Sequence, residues 1–211
     1  MNKLIQAIFL AITLSVGIFA QSDADDYQRN EFYAGFSNQS ADGFPRRSTN
    51  GFETAYVRNV HRYLGIKGDF SAAYKNERFD ISVPDFTTGA TTATYRQKIN
   101  YSIYNFLGGI QIKDNASKAR FKPFGHALAG VAYSRAKFDA PACLSGNCTA
   151  FIGASGFTFT ETGFSAALGG GLDIKLNDRL DFRAIQVDYN PIRVQNQWNN
   201  NVRFGIGFVF K

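Results

Sequence analysis

Large apolar side chains alternate with small or polar ones over most of the chain, and the alternation is clearest in residues 201–211. This stretch reads NVRFGIGFVFK, so its bulky residues share one face of a strand, and Arg203, Gly205 and Gly207 share the other. A broad apolar face backed by a narrow, partly polar face indicates a strand that turns its large side chains outward. A soluble sandwich strand produces the same alternation, so the choice between them depends on the other strands.

The same period of two recurs along the chain and predicts eight strands, separated by segments of polar and turn-forming residues. The predicted strands are residues 30–37, 51–58, 64–74, 99–113, 121–137, 161–176, 180–189 and 201–211. The third strand is the clearest in the first half, because apolar residues such as Ile66 and Phe70 alternate with Lys67. One face of this strand is therefore apolar, and the other is charged.

The connections between these strands alternate long, short, long, short, long, short, long, so both ends of the strand region fall on the short-turn side. Outer membrane barrels have an even number of strands, short periplasmic turns, longer outer loops and apolar residues on the outside. Closure of the sheet pairs every backbone donor and acceptor, as lipid requires. The pattern predicts an all-β, eight-stranded antiparallel up-and-down transmembrane β-barrel. Residues 75–98 are polar, and we expect them to extend the flanking strands beyond the membrane.

Two of the predicted strands need a further argument. Strand five is apolar on both faces, and because a histidine facing lipid is costly, we predict that His126 points inward. Phe124, Leu128 and Gly130 then point inward as well. In strand seven, the outward positions change parity near Ala184, which predicts a β-bulge.

The amino terminus has the features of a targeting segment. Lys3 precedes an apolar run from Leu4 to Phe19, which is followed by a small residue and then by an acidic, polar segment. We predict a secretory signal peptide over residues 1–20, a polar lead over 21–29 and one barrel domain over 30–211. The apolar run is shorter than the roughly 20 residues of a membrane-spanning helix, although a retained amino-terminal anchor stays open as an alternative.

Charge and cysteine content limit the partners and ligands that the protein is expected to bind. The formal net charge is +6, but the basic residues are scattered singly, so no nucleic-acid partner is expected. Cys143 and Cys148 fall in the segment CLSGNC, and an exported chain meets an oxidising compartment, so we predict a disulfide within this loop. No histidine lies near these cysteines in sequence, so neither a metal nor a cofactor is predicted.

The terminal run RFGIGFVF carries a polar residue, a glycine and two aromatic residues at Arg203, Gly205, Phe208 and Phe210. With the eight strands and their alternating connections, it makes the chain resemble the small eight-stranded outer membrane barrels of the outer membrane protein A and X type. In that family such a run is the sorting signal presented to the barrel assembly machinery, although Lys211 follows where an aromatic residue usually ends the chain. The resemblance implies the outer membrane of a Gram-negative cell envelope, reached after export.

An eight-stranded barrel is narrow enough to be filled by its own side chains. Seven charged residues fall on positions predicted to point inward, and we expect them to form a charge network in the lumen. They are Glu53, Lys67, Asp69, Asp173, Arg183, Asp188 and Arg203. Pairing is expected because a buried ion without a partner is strongly destabilising.

Catalysis is not predicted. His61 and His126 are the only histidines, both fall near the short-turn end, and no Gly-x-Ser-x-Gly motif is present. We predict a monomeric, non-enzymatic barrel in outer membrane lipid, which serves envelope integrity or surface interaction through extracellular loops. A narrow pore or small-solute-binding barrel, a soluble lipocalin-like ligand-binding barrel and an outer membrane enzyme stay open as alternatives.

Overall fold

The computed structural model describes residues 27–41, 47–84, 91–146, 155–194 and 197–211. The predicted signal peptide, most of the predicted polar lead and Cys148 lie outside these residues. Within them, no helix has the length and hydrophobicity needed to cross a bilayer.

The described residues form eleven strands, eight of which close into a ring. They are β1 (Asn30–Ala41), β2 (Arg47–His61), β3 (Leu64–Pro84), β4 (Thr91–Lys113), β5 (Phe121–Phe138), β6 (Ala142–Gly146), β7 (Phe157–Lys175), β8 (Leu180–Tyr189), β9 (Ile192–Val194), β10 (Gln197–Asn199) and β11 (Asn201–Phe210). Antiparallel pairs join β1, β2, β3, β4, β5, β7, β8 and β11 in that order, and β11 pairs with β1 to close the ring. The predicted eight-stranded antiparallel up-and-down barrel is confirmed.

The two ends of the barrel differ in their connections. At one end lie the short turns after β2, β4 and β7, together with the start of β1 and the end of β11. At the other end lie the long connections, where β6 pairs with β4, β9 pairs with β7, and β10 pairs with β9. We call them the short-turn end and the long-loop end.

The barrel has a tall side and a short side. β4 contains 23 residues and β3 contains 21, whereas β8 and β11 contain 10 each. At ~3.4 Å per residue, β4 is ~78 Å long and β11 only ~34 Å. Most of the polar stretch 75–98 therefore extends β3 and β4, as predicted. The strand parts beyond the long-loop rim form a projecting sheet, which comprises residues 75–84, 91–101, 134–138, 142–146 and 157–163.

Side-chain directions follow the predicted alternation. On β4, Phe106 is 54% exposed on the outside, whereas Leu107 is 5% exposed on the inside. On β5, Phe124, His126 and Leu128 are buried, so the predicted inward facing of these residues is correct. The barrel is thus apolar outside and largely polar inside.

β8 contains one extra residue between two ladder pairs. On β7, Leu172 lies opposite Ile185. The next residue, Asp173, lies opposite Arg183, so Ala184 is inserted between the two pairs. This insertion confirms the β-bulge predicted near Ala184, and it keeps apolar residues on the outside along both halves of the strand.

The close approach of β1 and β11 explains one glycine of the terminal run. A Cβ atom at Gly207 would lie 2.3 Å from the carbonyl oxygen of Ala34, which is closer than non-bonded atoms approach. A larger residue would push apart the two strands that close the ring. Glycine is therefore required at this position.

Candidate functional site

A belt of exposed apolar side chains encircles the outside of the barrel. Its members come from all eight ring strands and include Phe32, Phe36, Phe52, Ile66, Phe106, Ile110, Ile112, Val131, Phe164, Leu168, Ile185, Val187, Phe204, Ile206, Phe208 and Phe210. An apolar surface of this extent indicates contact with a membrane or with protein. On β4 the belt runs over nine residues, from Tyr104 to Ile112, and a tilted strand needs roughly 9 to 11 residues to cross a bilayer.

A row of tyrosines marks the edge of the belt toward the long-loop end. Tyr74, Tyr104 and Tyr133 lie side by side on the outer face, with neighbouring ring centroids 5.9 and 6.2 Å apart. Beyond this row, the outward positions of the projecting sheet are polar. They include Asn76, Arg78, Asp80, Arg96, Lys98, Asn100, Ser102, Arg135, Lys137, Thr158 and Thr160. The outer face therefore changes from apolar to polar at the tyrosine row.

Inside the barrel, Arg203 is the centre of an ion-pair cluster. Its guanidinium lies 2.7 Å from Asp188, 2.9 Å from Asp69 and 3.6 Å from Glu53. Lys67 lies 3.4 Å from Asp69 and 3.9 Å from Glu53. All five side chains are fully buried, and each contacts at least one opposite charge. These contacts offset the cost of removing the ions from water.

His126 extends the central cluster toward β5. Its Nε2 lies 2.9 Å from Asp188 Oδ1, and its Nδ1 lies 3.3 Å from Lys67 Nζ. An ammonium group donates hydrogen bonds and cannot accept them, so this contact assigns Nδ1 as the acceptor and places the ring proton on Nε2, facing Asp188. His126 is thus a neutral link between a cation and an anion.

A second cluster lies closer to the short-turn end. Arg183 donates two hydrogen bonds to Asp173, from Nε at 2.8 Å and from Nη2 at 3.2 Å. Lys113 donates to the same carboxylate at 3.3 Å and to Glu31 at 2.5 Å. Charge-assisted pairs of this kind are the stronger hydrogen bonds of proteins.

Gln186 joins the two clusters. It accepts a hydrogen bond of 2.8 Å from Arg183 and donates to Glu53 at 2.7 Å and to Asp188 at 2.8 Å. The guanidinium of Arg183 also lies 3.9 Å from the ring centroid of Phe124, which is a cation–π contact. Polar contacts are thus continuous from one cluster to the next.

The short-turn rim holds a third group of charges. Asp181 lies 3.7 Å from Lys122 and also pairs with Lys211. Because side chains alternate along β11, Phe210 points outward and the position after it points inward. The alternation therefore places Lys211 on the inward side, where its ammonium meets Asp181.

The buried charges are equal in number. Among the described residues, six acidic and six basic side chains in these clusters are each at most 7% exposed. The acids are Glu31, Glu53, Asp69, Asp173, Asp181 and Asp188, and the bases are Lys67, Lys113, Lys122, Arg183, Arg203 and Lys211. With His126 neutral, these groups have no net charge, so every buried ion has an opposite charge available within the barrel.

A layer of amides and hydroxyls covers the central cluster on the side of the long-loop end. Asn105 donates to Ser71 and accepts from Ser165, both at 3.2 Å. Asn190 donates to Ser165 at 3.1 Å and accepts from Gln39 at 3.2 Å. This hydrogen-bonded chain crosses the interior from β3 to β1. Side chains therefore fill the lumen at successive levels, as the diameter of an eight-stranded barrel allows.

The structure brings together the seven charged residues predicted to share the lumen. Five of them form the central cluster, and Asp173 and Arg183 pair one level below it. Sequence reasoning did not include Glu31, Lys113, Lys122, Asp181, Gln186 and Lys211. The alternation of side chains along each strand could have identified them, because Lys113, for example, falls on an inward position of strand four.

Two predicted features of the sequence remain predictions. Arg203 and Gly205 point inward, and Phe208 and Phe210 point outward, but their use as an assembly signal is a matter of recognition by another protein. Cys143 lies on β6 opposite Tyr95, and its predicted partner is outside the described residues.

Cations predominate on the outer face of the projecting sheet. Arg78 on β3 lies directly opposite Lys98 on β4, and like charges in this position destabilise a ladder. Arg96 instead donates two hydrogen bonds to Asp80, at 2.8 and 3.0 Å. These hydrogen bonds hold the pKa of the Asp80 carboxyl below its ordinary value. Arg96 is therefore paired with a carboxylate, and the ammonium of Lys98 lies 3.8 Å from the carboxylate of Asp139.

The inner face of the projecting sheet carries an aromatic cluster. Phe138 stacks on Phe157, with ring centroids 4.6 Å apart, and Phe159 meets both rings edge-on. Phe157 is 52% exposed and Phe159 is 61% exposed. Exposed aromatic clusters of this kind mark contact surfaces. No pattern in the sequence predicted this cluster, because it lies in what was predicted to be a loop.

No family model matches the chain, and no curated protein matches it. Solved structures do match. Ail, the attachment invasion locus protein of Yersinia pestis, in complex with the heparin analogue sucrose octasulfate, aligns with a TM-score of 0.55 at 14% identity, over 86% of this chain and 98% of that chain. A second structure of Ail gives 0.54 at 12% identity, over 87% and 99%. The chain has the fold of a small outer membrane β-barrel.

Neisserial surface protein A aligns more weakly, with a TM-score of 0.49 at 11% identity, over 90% of this chain and 99% of that chain.

Proposed function

We propose that this protein is an integral outer membrane β-barrel, closed by its own side chains, which acts through the structure beyond its long-loop rim. The observation that carries the proposal is the inverted arrangement of the barrel, with the apolar belt outside and the balanced ion pairs inside. In water this arrangement exposes apolar surface, whereas in a bilayer the belt contacts hydrocarbon and the charges stay in the interior. The short-turn end then faces the periplasm, and the long-loop end faces the outside.

The aromatic residues at the rim support a transmembrane position. Tyrosine and tryptophan are enriched where hydrocarbon meets water, because an apolar ring there carries a polar group. Tyr74, Tyr104 and Tyr133 have this position on one side of the barrel. Trp198 has it on the other side, where it lies edge-on to Phe164 with ring centroids 6.2 Å apart.

The interior supports a structural role for the lumen. The charged groups contact one another, and the layer from Gln39 to Ser71 crosses the barrel above them. A non-enzymatic protein follows as part of the proposal, since the two histidines are accounted for by a turn and by the ion-pair cluster.

The exposed aromatic cluster of Phe138, Phe157 and Phe159 supports contact with an external partner at the cell surface.

Biogenesis is part of the same proposal. Residues 1–20 direct export, and Cys143 and Cys148 form a disulfide outside the membrane. The run from Arg203 to Phe210 is recognised by the barrel assembly machinery, and the finished barrel is a monomer in outer membrane lipid.

Reconstitution into lipid tests this function with two readouts. Flotation of vesicles after a urea wash measures insertion, and planar-bilayer recording measures conductance. We expect the wild-type protein to float with the vesicles and to give no conductance steps above those of the bare bilayer. The double variant Arg203→Ala, Asp188→Ala removes two of the five charged side chains of the central cluster while keeping the charges balanced, and it serves as the comparison in which steps should appear.

Each result has a distinct meaning. Conductance steps in the wild-type protein would favour the narrow pore. A folded protein that stays in solution and does not float would favour the soluble ligand-binding barrel.

A further inference from the structure

We propose that the central ion-pair cluster of the lumen is a binding site for one proton, which is shared between the carboxyl groups of Glu53 and Asp69. At neutral pH the folded barrel therefore contains one protonated carboxyl group in its interior. The inference goes beyond the proposed function, which requires only that side chains fill the lumen. It concerns the folded interior alone, so it depends neither on a membrane nor on an external partner.

The charges of the central cluster do not balance by themselves. Its three acids, Glu53, Asp69 and Asp188, meet only two cations, Lys67 and Arg203. The second cluster supplies no further cation, because its two acids and two bases are equal in number. The interior as a whole reaches equality only through the group at the short-turn rim, where two lysines share one carboxylate. The centre of the lumen is therefore one positive charge short.

An excess negative charge is costly at this position. The five side chains have no exposure to solvent, so water does not stabilise the excess. A buried carboxyl group without a sufficient counter-charge takes up a proton instead of remaining ionised. One proton makes the central cluster neutral.

The contacts of Glu53 identify it as the acid that lacks a cation. It pairs with Nε of Arg203 at 3.6 Å and with Nζ of Lys67 at 3.9 Å, and both distances are too long for a hydrogen bond. The donor that does reach Glu53 is the neutral amide of Gln186, at 2.7 Å. Asp188, in contrast, accepts two hydrogen bonds from Arg203, at 2.7 and 3.0 Å. Asp188 therefore stays ionised, and the proton belongs to Glu53.

Asp69 is placed to accept a hydrogen bond from that proton. The carboxyl groups of Glu53 and Asp69 lie within hydrogen-bonding reach of each other. Two ionised carboxylates only repel, because neither has a donor, whereas a protonated carboxyl group donates to its neighbour. Within the described residues, Oε2 of Glu53 and Oδ2 of Asp69 have no hydrogen-bond partner. A proton held between the two carboxyl groups supplies the missing hydrogen bond.

The other groups around this pair do not replace the proton. The titratable and charged side chains there are Tyr33 on β1, Lys67 on β3, His126 on β5, Arg183 and Asp188 on β8, and Arg203 on β11. A charged His126 would repel Lys67, whose Nζ lies 3.3 Å from its Nδ1. Arg183 donates two hydrogen bonds to Asp173, which matches its charge. Among the described residues, no three acidic, histidine or cysteine side chains are arranged to hold a metal ion.

Infrared spectroscopy of the folded barrel tests the proposal, because a protonated carboxyl group has a carbonyl band at higher frequency than a carboxylate. The protein is refolded from urea, in H2O and in D2O, into an alkyl maltoside detergent, which has no carbonyl group. At about pH 8 a carboxyl group in contact with water is ionised, so a band from a protonated one reports a buried group. We expect this band in the wild-type protein, and we expect it at lower frequency after refolding in D2O.

The variants Glu53→Gln and Asp69→Asn should each remove the band. The first replaces the protonated acid, and the second removes the excess negative charge, so that Glu53 ionises. The matched control is Glu31→Gln, which changes another buried glutamate of the lumen. Glu31 accepts a hydrogen bond of 2.5 Å from the ammonium of Lys113, so it is ionised, and its replacement should leave the band in place.

The stability of the barrel in urea gives a second readout. Glutamine is close in shape to a protonated glutamate, so Glu53→Gln should keep the unfolding midpoint near that of the wild type at neutral pH. Glu31→Gln should lower the midpoint, because Lys113 loses a partner in the interior. Raising the pH should lower the wild-type midpoint more than that of Glu53→Gln, because the folded barrel holds a proton that the unfolded chain has released.

Absence of the band from the wild-type protein would overturn the proposal, and this result needs no variant to fold. A band that survives in both Glu53→Gln and Asp69→Asn, or that disappears in Glu31→Gln, would overturn it as well. So would an equal dependence on pH in the wild type and in Glu53→Gln. Because these measurements are made in detergent, failure to insert into vesicles contradicts the proposed function and not this inference.

Discussion

The side chain of Arg203 joins strands that are not neighbours in the ring. β11 is hydrogen-bonded to β1 and β8, yet Arg203 contacts Asp69 on β3 and Glu53 on β2. These contacts cross the interior, so they stabilise the closed shape beyond what the backbone ladders supply. The same side chain belongs to the terminal run, which gives one residue both a structural and a proposed recognition role.

Replacement of Arg203 by Met should destabilise the barrel more than the same change made together with Asp188→Asn. The single change leaves an uncompensated buried carboxylate and should cost ~3 to 5 kcal/mol. The double change restores the balance of interior charges, so it should cost less than the single change plus Asp188→Asn alone. Urea unfolding in lipid vesicles measures all three free energies. Simple additivity would mean that water screens the lumen charges, and would favour a solute path.

Alternation along the strands predicted the direction of the interior charges but not their partners. Lys67 and Asp69 point inward because they fall opposite Ile66 and Phe70, and a period of two is sufficient for that conclusion. Contacts such as Arg203 to Asp69 depend on how far each strand is staggered around the ring. Stagger is a property of the closed barrel, so a single strand's sequence does not contain it. Gln186 was missed for the same reason, since its importance comes from the residues at its level.

At the scale of elements, the bulge in β8 allows the whole strand to face the polar interior on one side and the apolar outside on the other. Residues on both sides of Ala184 must turn charges inward and apolar groups outward, and a strict alternation would satisfy only one side. A shift of one residue moves every side chain of a strand to the other face. The inserted residue therefore determines whether Arg183 and Asp188 can both be inside.

Deletion of Ala184 should prevent folding of the barrel. Without the bulge, either Asp181 and Arg183 or Gln186 and Asp188 must face outward, where lipid would meet a charge. The control is Ala184→Gly, which keeps the extra residue and should fold. On a gel of unheated samples, folded and unfolded barrels migrate at different rates, so the mobility reports whether each variant has folded. A deletion variant that folds and inserts as the control does would show that the bulge is dispensable.

Elements in the long connections could not be predicted from the sequence. β6, β9 and β10 are three to five residues long, which is too short for a period to be recognised. Each forms because a neighbouring strand offers an unpaired edge, as β4 does for β6. Tertiary context, and not local pattern, produces such strands.

At the scale of the whole molecule, the barrel and the projecting sheet are held together by different strand pairs. The ring is closed by ladders below the tyrosine row, whereas the outer parts of β3 and β4 pair mainly with each other. Loss of the upper hairpin should therefore leave the ring intact. The two parts can be separated experimentally.

Removal of residues 78–98, with Glu77 joined to Ile99 through an Asn-Gly turn, should leave a folded barrel. Glu77 and Ile99 are ladder partners, and Asn-Gly suits a two-residue hairpin loop. The unfolding free energy should change by less than ~1 kcal/mol, since loop length has a small effect on closure. Urea titration in vesicles measures this change. Loss of the folded state would mean that the barrel and the sheet form one cooperative unit.

The seam between β1 and β11 determines when this protein can enter a membrane. Phe32 and Phe210 are ladder partners, although 178 positions of the chain separate them. The last ring strand to be synthesised is thus the one that completes the ring, and every earlier intermediate of the ring has two open sheet edges. Open edges are not tolerated in hydrocarbon and promote aggregation in water. Membrane entry must therefore wait until β11 has been synthesised, and until then the chain needs protection of its open edges.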